Sequence, residues 1–227
     1  MRTGWKSMPF VGREKETRRI VRALEKGGNI VVTGKFGMGR TKLARHVSDL
    51  YEKRWRFVFV DFSKTPGQVS TDILSEMSPG KRFERSGQYR RYKTQRHRIA
   101  TAKSSDGRQV VFVLDNIEKV TPQRLALIRY LYSEKRFLFI AITESFLRER
   151  DFFLLRAELL PEHVIRLGRI SRKDSKEFFH AVSEKNEFRW ESDRIRMMAE
   201  MARGYPLSMR EMVSKEKGSR RRVHAVG

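Results

Sequence analysis

Residues 34–41 have the spacing of a loop that binds phosphate groups. They follow the apolar run at 29–33 and match the pattern Gly, four residues, Gly, Lys, then Ser or Thr, except that Arg40 replaces the lysine. The glycines let successive backbone N–H groups surround an anion, and the helix expected after the loop points its positive end at the same anion. The hydroxyl of Thr41 is placed to ligate Mg²⁺, so the loop predicts a nucleotide site. The residues expected to contact the nucleotide there are Gly34, Lys35, Phe36, Gly37, Met38, Gly39, Arg40, Thr41 and Lys42.

The arginine at position 40 is the one departure from this pattern. Arginine keeps the positive charge of the usual lysine, but it is longer and planar and binds phosphate as a fork rather than as a point charge. Nucleotide binding is compatible with the change, whereas fast hydrolysis does not follow from it. The alternative is a glycine-rich turn between a strand and a helix that binds nothing.

A candidate magnesium ligand ends the apolar run at 110–114. Asp115 can hold Mg²⁺ there directly or through water, although an aspartate that caps a helix has the same pattern. The next position often carries a glutamate that activates the attacking water, but here it holds Asn116, which cannot take a proton. Glu118 or Glu144 could replace it. Together with the missing lysine, the missing glutamate favours a slow ATPase or a nucleotide switch, and whether the chain is an enzyme stays open.

Strands and helices alternate along the first part of the chain. Continuous apolar runs predict five strands, at 30–33, 56–62, 110–114, 137–143 and 164–167. With helices between them, this order predicts an α/β fold with a doubly wound parallel sheet, whose ligands bind at the carboxyl ends of the strands. Gly34, Asp115 and Thr143 all fall at such ends. The hydroxyl of Thr143 could contact a γ-phosphate or attacking water there, or it could only cap its strand.

The pattern becomes purely helical after Ser171, which indicates a small α-helical addition. We therefore expect a nucleotide-binding α/β domain at 1–168, a helical lid at 169–215 and a basic tail at 216–227. The tail contains three consecutive arginines, and its composition predicts disorder.

The chain is strongly basic. Its 227 residues include 50 Lys and Arg against 27 Asp and Glu, which gives a net charge of +23 and an isoelectric point near 10.8. A field of that sign favours a polyanion as partner, although a generally basic proteome or a need for solubility would give the same charge. The absence of cysteine excludes disulfides and thiolate metal sites. No stretch approaches the roughly 20 apolar residues of a membrane span and no signal-peptide core is present, so we expect a cytoplasmic protein without membrane contact.

The densest basic stretch is 81–98, in which eight of 18 residues are Lys or Arg, interleaved with Tyr89 and Tyr92. This composition is typical of a surface that contacts nucleic-acid phosphates, and such contacts position a protein without reading sequence. A solvated basic helix is the alternative. The candidate DNA-binding residues are Lys81, Arg82, Arg85, Arg90, Arg91, Lys93, Arg96 and Arg98.

These motifs, in this order, resemble those of the AAA+ ATPases. The loop at 34–41 matches the Walker A motif apart from its arginine, and 110–115 matches the Walker B strand apart from the residue that follows it. Thr143 stands where the family has sensor 1. Residues 10–14 are similar to the motif that packs beside the adenine base, and residues 204–211 are similar to the sensor 2 segment of the lid. The residues that the resemblance adds to the nucleotide site are Val11, Gly12, Arg13, Pro206 and Arg210.

The resemblance covers about residues 8–215 and implies a P-loop NTPase fold, with five parallel strands and a small C-terminal helical lid. It implies ATP and Mg²⁺ as cofactors, with Thr41 and Asp115 as metal ligands and with Arg210 touching the γ-phosphate. A finger arginine from a neighbouring copy is also implied, for which Arg148, Arg150 and Arg156 are candidates and Arg156 is favoured. The residues implied around hydrolysis are Asp115, Asn116, Thr143, Arg156 and Arg210.

Within the family, a minimal module with this charge is most similar to the transposition-regulator ATPases of the initiator-like branch. Proteins of that kind oligomerise on duplex DNA and recruit a transposase. The resemblance therefore implies a homo-oligomer, either ring or filament, on double-stranded DNA without sequence preference, and a transposase or other recombination protein as partner. The branch has a DNA-facing element between strands two and three, which here is the stretch 63–108.

Two other functions stay open from the sequence. One is a signalling-type nucleotide switch or scaffold NTPase that binds protein or RNA partners. The other is a degenerate P-loop protein that has lost its nucleotide and binds DNA by charge alone. Salt dependence would separate charge-driven DNA binding from protein scaffolding. Nucleotide dependence would separate the degenerate P-loop protein from an ATP-dependent oligomer on DNA.

Overall fold

The computed structural model describes residues 8–77, residue 99 and residues 107–223. Within these ranges the chain forms five strands and eight helices. The strands are β1 (Ile30–Gly34), β2 (Trp55–Asp61), β3 (Gln109–Ile117), β4 (Phe137–Thr143) and β5 (His163–Leu167). The helices are α1 (Glu14–Glu25), α2 (Arg40–Tyr51), α3 (Pro66–Met77), α4 (Pro122–Ser133), α5 (Glu149–Leu159), α6 (Arg172–Lys185), α7 (Ser192–Ala202) and α8 (Pro206–Val223). The candidate DNA-binding residues at 81–98 lie outside the described residues.

The five strands form one sheet in the order β2-β3-β4-β1-β5. The pairings of β1 with β4, of β2 with β3 and of β3 with β4 are all parallel. β4 is buried along its whole length, as a strand covered on both faces must be, which explains its unbroken apolar sequence. The predicted α/β fold with a five-stranded parallel sheet is confirmed. This order brings the ends of β1, β3 and β4 together at one edge of the sheet.

The structure divides into two compact units. Residues 16–35 and 40–166 form the first, which contains nearly all of the sheet and which we term the sheet unit. The described parts of 1–15, 36–39 and 167–227 form the second, which we term the helical unit. The tip of the glycine loop thus belongs by its contacts to the helical unit.

Each unit has its own apolar core. In the sheet unit the ring of Phe112 lies between Phe137 and Phe139, with ring centroids 4.9 and 5.8 Å away. In the helical unit Phe179 is fully buried among α6, α7 and α8, and Val11 of the N-terminal segment packs against this core. The predicted helical region after residue 171 is therefore built around aromatic side chains.

The last helix is longer than the sequence predicts. α8 continues to Val223, through most of the tail expected to be disordered. The residues at 212–217 are mainly good helix formers, and Gly218 is the only strong helix breaker between them and Val223, so the composition that predicts disorder is also compatible with a helix. Every helix within the described ranges is too short or too polar to span a lipid bilayer.

Candidate functional site

The glycine loop between β1 and α2 needs glycine at two of its positions. Gly37 has φ 78° and Gly39 has φ 85°, both in the left-handed region that residues with a Cβ rarely adopt. A Cβ atom on Gly37 would also lie 2.7 Å from the Tyr205 hydroxyl oxygen and 2.7 Å from Cβ of Leu207. The loop backbone can therefore keep this shape only with these glycines.

Residues 36–39 of the loop are held within the helical unit by two side chains. The Tyr205 hydroxyl donates a hydrogen bond to the Phe36 carbonyl at 2.6 Å. The buried guanidinium of Arg13 donates to the Met38 carbonyl at 3.4 Å and to the Gly168 carbonyl at 2.5 Å. The N-terminal segment expected beside the adenine base thus anchors the loop. Contact of Val11, Gly12 or Arg13 with a nucleotide stays a prediction.

Arg40, the first residue of α2, turns to the carboxyl end of β4. Its guanidinium donates to both carboxylate oxygens of Glu144 at 2.6 Å, and also to the Thr143 carbonyl. The side chains of Arg40 and Glu144 are only 7% and 12% exposed. Both bonds to Glu144 come from Nη2, whereas the bond to the Thr143 carbonyl comes from Nη1. A lysine has one nitrogen and could not hold these two partners through separate nitrogens. The arginine that departs from the loop pattern is therefore matched by a specific carboxylate of the same sheet unit.

Thr41 and Asp115, the two candidate metal ligands, lie side by side. The Thr41 hydroxyl donates to Oδ1 of Asp115 at 3.1 Å. Burial raises the pKa of Asp115, and the hydrogen bonds from Thr41 and from the Asn116 backbone, together with the charges of Arg45 and Arg40, oppose that rise. A hydroxyl and a carboxylate side by side are oxygen ligands of the kind that Mg²⁺ prefers.

These two side chains would hold Mg²⁺ only together with further oxygen donors. No group of three or more His, Cys, Asp or Glu that could hold a metal ion occurs among the described residues. Mg²⁺ keeps several waters and commonly takes one or two protein ligands plus phosphate oxygens. The donor set therefore suits a metal that arrives with a nucleotide.

Asn116 has a structural reason to be asparagine. Its φ is 59°, and the register between β3 and β4 shifts between Leu114 and Ile117, so Asn116 lies in a bulge. Asparagine is one of the few residues with a side chain that enters this left-handed region readily. A glutamate at this position would be strained.

Asn116 also reaches a carboxylate that the sequence analysis missed. Its side-chain amide donates to Oδ1 of Asp61 at 3.2 Å. Burial acts to raise the pKa of Asp61, but hydrogen bonds from Ser63 and Asn116 and the charge of Lys64 outweigh it, and the pKa lies below its ordinary value. The position of Asp61 in the sequence could have identified it, because Asp61 ends the apolar strand β2 as Asp115 follows the apolar run of β3, and both lie at the same edge of the sheet.

Thr143 is fully buried, and its hydroxyl has no hydrogen-bond partner among the described residues. Its carbonyl accepts from Arg40. Of the two glutamates that could act in place of the missing base, Glu144 has both oxygens engaged by Arg40 and Glu118 is exposed. Neither is positioned against Asp115 by a hydrogen bond that the structure describes.

The structure describes the remaining candidate residues but does not bring them together at one site. Arg148, Arg150 and Arg156 are all exposed, and Arg156 lies with its guanidinium carbon 5.9 Å from the ring centroid of Phe152. Pro206 begins α8 and Arg210 follows one turn later, partly buried within the helical unit. The finger and sensor roles of these arginines stay predictions. Of the two loop lysines, Lys35 is exposed, and burial lowers the pKa of Lys42.

Comparison with known proteins gives a family and a set of similar folds. A family model described as an AAA domain matches residues 22–150, which is more than half of the chain. No curated protein matches the sequence.

Solved structures resemble this one at low sequence identity. One is the Orc1 protein of Aeropyrum pernix in complex with DNA, with a TM-score of 0.75, 18% identity and 97% of this chain covered. Another is Cdc6p from Pyrobaculum aerophilum, with a TM-score of 0.60, 15% identity and 86% coverage. A third is the RuvB Holliday junction branch migration motor of Thermotoga maritima, with a TM-score of 0.60, 16% identity and 90% coverage. The chain covers 63%, 55% and 61% of these three structures, so it spans less than two thirds of each, and the likeness is one of fold.

Proposed function

Because the chain belongs to the AAA domain family, we propose that it binds ATP with Mg²⁺ and assembles on DNA in a nucleotide-dependent way. In this proposal it recruits or regulates a DNA-processing partner such as a transposase, and it hydrolyses ATP slowly. In this proposal the nucleotide switches the protein between an assembled and a free state, and the protein does not turn over a metabolite.

The observation that carries the nucleotide site is the hydrogen bond between Thr41 and Asp115. It joins the residue after the glycine loop to the carboxylate of the Walker B strand, at 3.1 Å. In the proposed complex the backbone N–H groups of the loop bind the phosphates, and Thr41 and Asp115 hold the metal. When bound, Mg²⁺ neutralises part of the phosphate charge. Because Asp115 is buried, its ionised form is stabilised once a cation lies beside it.

Slow hydrolysis follows from the residues beside Asp115. Asn116 cannot accept a proton from water, and its amide is engaged with Asp61. A protein with Asn116 at the position where the base is expected would hold ATP for long periods, which suits a switch.

The proposed DNA contact is supported by charge. The net charge of +23 favours a polyanion, and the similar Orc1 protein is in complex with DNA. The eight basic residues at 81–98 remain the main candidates for phosphate contact. The described residues add Arg18, Arg19 and Arg22, which are exposed together on α1. Contacts of this kind bind duplex DNA without reading its sequence and weaken steeply with salt.

Assembly of copies of the chain into a ring or filament completes the proposal. In it, a finger arginine of one copy, for which Arg156 is favoured, reaches the nucleotide of the next. Arg210 contacts the γ-phosphate of its own nucleotide. ATP then favours the assembled state because it binds that state better than the free one.

The test is DNA binding by the purified chain at about 0.1 M salt with ATP, ADP, a non-hydrolysable analogue or no nucleotide, with particle size measured alongside. We expect large assemblies with ATP and with the analogue only. Thr41→Ala, which removes the metal-ligand hydroxyl, should abolish them. Thr71→Ala, a threonine on α3 away from the loop, is the matched control and should not.

Each other outcome contradicts a named part of the proposal. Equal DNA binding under all four nucleotide conditions would mean that charge alone holds the DNA and that the loop has no role. Nucleotide binding without any DNA binding would favour the alternative, a switch or scaffold with protein or RNA partners.

A further inference from the structure

We propose that Glu144 competes with the terminal phosphate of a nucleotide for Arg40, so that this ion pair weakens triphosphate binding more than diphosphate binding. The inference rests on the proposed nucleotide site and identifies a residue that sets its specificity. Glu144 would act through Arg40 rather than on the reacting atoms.

The geometry of the pair leaves little of Arg40 for another anion. Both oxygens of Glu144 accept from the guanidinium at 2.6 Å, and the Thr143 carbonyl takes a further N–H. The pair is 7% and 12% exposed, so water screens it little. In this arrangement the positive charge that the loop pattern normally offers to phosphate is already compensated by a carboxylate.

Carboxylate and phosphate are alternative partners for the N–H groups of the same guanidinium. The loop backbone contacts the inner phosphates, whereas the residue at the lysine position reaches the β- and γ-phosphates. A γ-phosphate that approached Arg40 with Glu144 still in place would bring two like charges together in a poorly hydrated site. Triphosphate binding therefore requires Glu144 to leave Arg40, and the apparent affinity falls by the fraction of molecules in which the pair is open.

Thr143 provides a second observation at the same place. Its hydroxyl is fully buried without a partner among the described residues, while its carbonyl accepts from Arg40. An unpaired buried hydroxyl is unfavourable, so the closed arrangement does not satisfy every polar group at the end of β4. Release of Arg40 would let Thr143 rearrange and find a partner, which makes a second arrangement of this strand end accessible.

The experiment measures the dissociation constants of ATP and ADP, each with Mg²⁺, by calorimetry on the full chain and on Glu144→Gln. The glutamine keeps the shape of the side chain but removes its charge. We expect ATP to bind on the order of tenfold tighter to Glu144→Gln, and ADP to gain clearly less, because a hydrogen bond to a neutral group competes less with phosphate than one to a carboxylate. Glu149→Gln removes the same charge from an exposed position on α5 and should change neither constant.

A second variant keeps the inference testable if Glu144→Gln folds poorly, which a thermal unfolding curve would reveal. Arg40→Lys places the usual lysine in the loop, and a lysine has one nitrogen, so it cannot hold Glu144 and the Thr143 carbonyl through two separate nitrogens as Arg40 does. ATP should bind tighter to it too, and adding Glu144→Gln to Arg40→Lys should then give less than the sum of the two separate gains.

The outcomes separate this inference from the proposed function. If the unmodified chain binds ATP and neither variant binds it tighter, Glu144 only positions Arg40 and the inference is wrong while the site stands. If neither the unmodified chain nor any variant binds ATP or ADP at millimolar concentration, the proposed nucleotide site fails and the inference with it. If ATP binds only after Glu144→Gln, the competition is stronger than proposed but of the same kind.

Discussion

Replacement of Arg40 by methionine should destabilise the protein even without nucleotide. The change removes the partner of a carboxylate that is only 12% exposed, and it removes the hydrogen bond to the Thr143 carbonyl. Breaking a buried ion pair by deleting one partner costs about 3–5 kcal/mol. Glu144 keeps some access to water, so we expect the lower end, about 3 kcal/mol of unfolding free energy. This is a large share of the roughly 5–15 kcal/mol that holds a typical domain folded.

The assay is urea unfolding followed by circular dichroism in nucleotide-free buffer, supported by a thermal scan. For a chain of this size, a loss of about 3 kcal/mol corresponds to a midpoint lowered by about 6–12 °C. Arg194→Met is the matched control, because Arg194 pairs with Glu216 at the same distance, 2.6 Å, but with 46% and 28% exposure. Its loss should stay below about 1 kcal/mol. A similarly small loss for Arg40→Met would refute the conclusion that the loop arginine is held in a buried ion pair.

The other predictions concern Gly37 in the loop and Asp115 at the end of the apolar run of β3. Gly37→Ala should lower the unfolding free energy by about 1–3 kcal/mol, because φ is 78° and the new Cβ would lie 2.7 Å from the Tyr205 hydroxyl oxygen. Gly218→Ala is the control, because a Cβ at this position of α8 meets open space and should not destabilise the protein. Urea unfolding measures both variants. Asp115→Asn should stabilise the metal-free protein at pH 7, because burial raises the pKa of Asp115 and so penalises its ionised form. That gain should shrink as the pH falls through the raised folded pKa towards the ordinary value of about 3.9, and a gain that grew in acid would contradict the sign.

The fold could be predicted because its signal is repeated along the chain. β4 is an unbroken apolar run that is buried throughout, and β3 has the same kind of run before Asp115. The rule that parallel strands meet at their carboxyl ends then placed Gly34, Asp115 and Thr143 at one edge of the sheet. Each of these steps needs only the spacing of residue types along the chain.

The details that failed depend on tertiary contacts. Leu50 follows the buried Leu43 and Val47 at helical spacing on α2, yet it lies in the last turn of the helix and is 58% exposed, so spacing alone does not decide its burial. The direction of a long side chain such as Arg40 depends on which carboxylate lies within reach. Glu144, which directly follows β4, lies about a hundred residues further along the chain. The bulge at Asn116 depends on the pairing of β3 with β4, which no local pattern reveals.

The anchoring of residues 36–39 has a consequence for the modularity of this chain. A fragment that ended at residue 168 would keep all five strands, yet it would lose Tyr205, whose hydroxyl holds the Phe36 carbonyl. Arg13, at the other end of the chain, holds the Met38 carbonyl, so a fragment that began after it would lose a second anchor. A truncation, a domain graft or a recombination event could separate these segments. The product would keep the loop glycines but lose the Arg13 and Tyr205 side chains that hold the loop backbone. The loop therefore keeps the supports of its backbone only in a fragment that contains nearly the whole described chain.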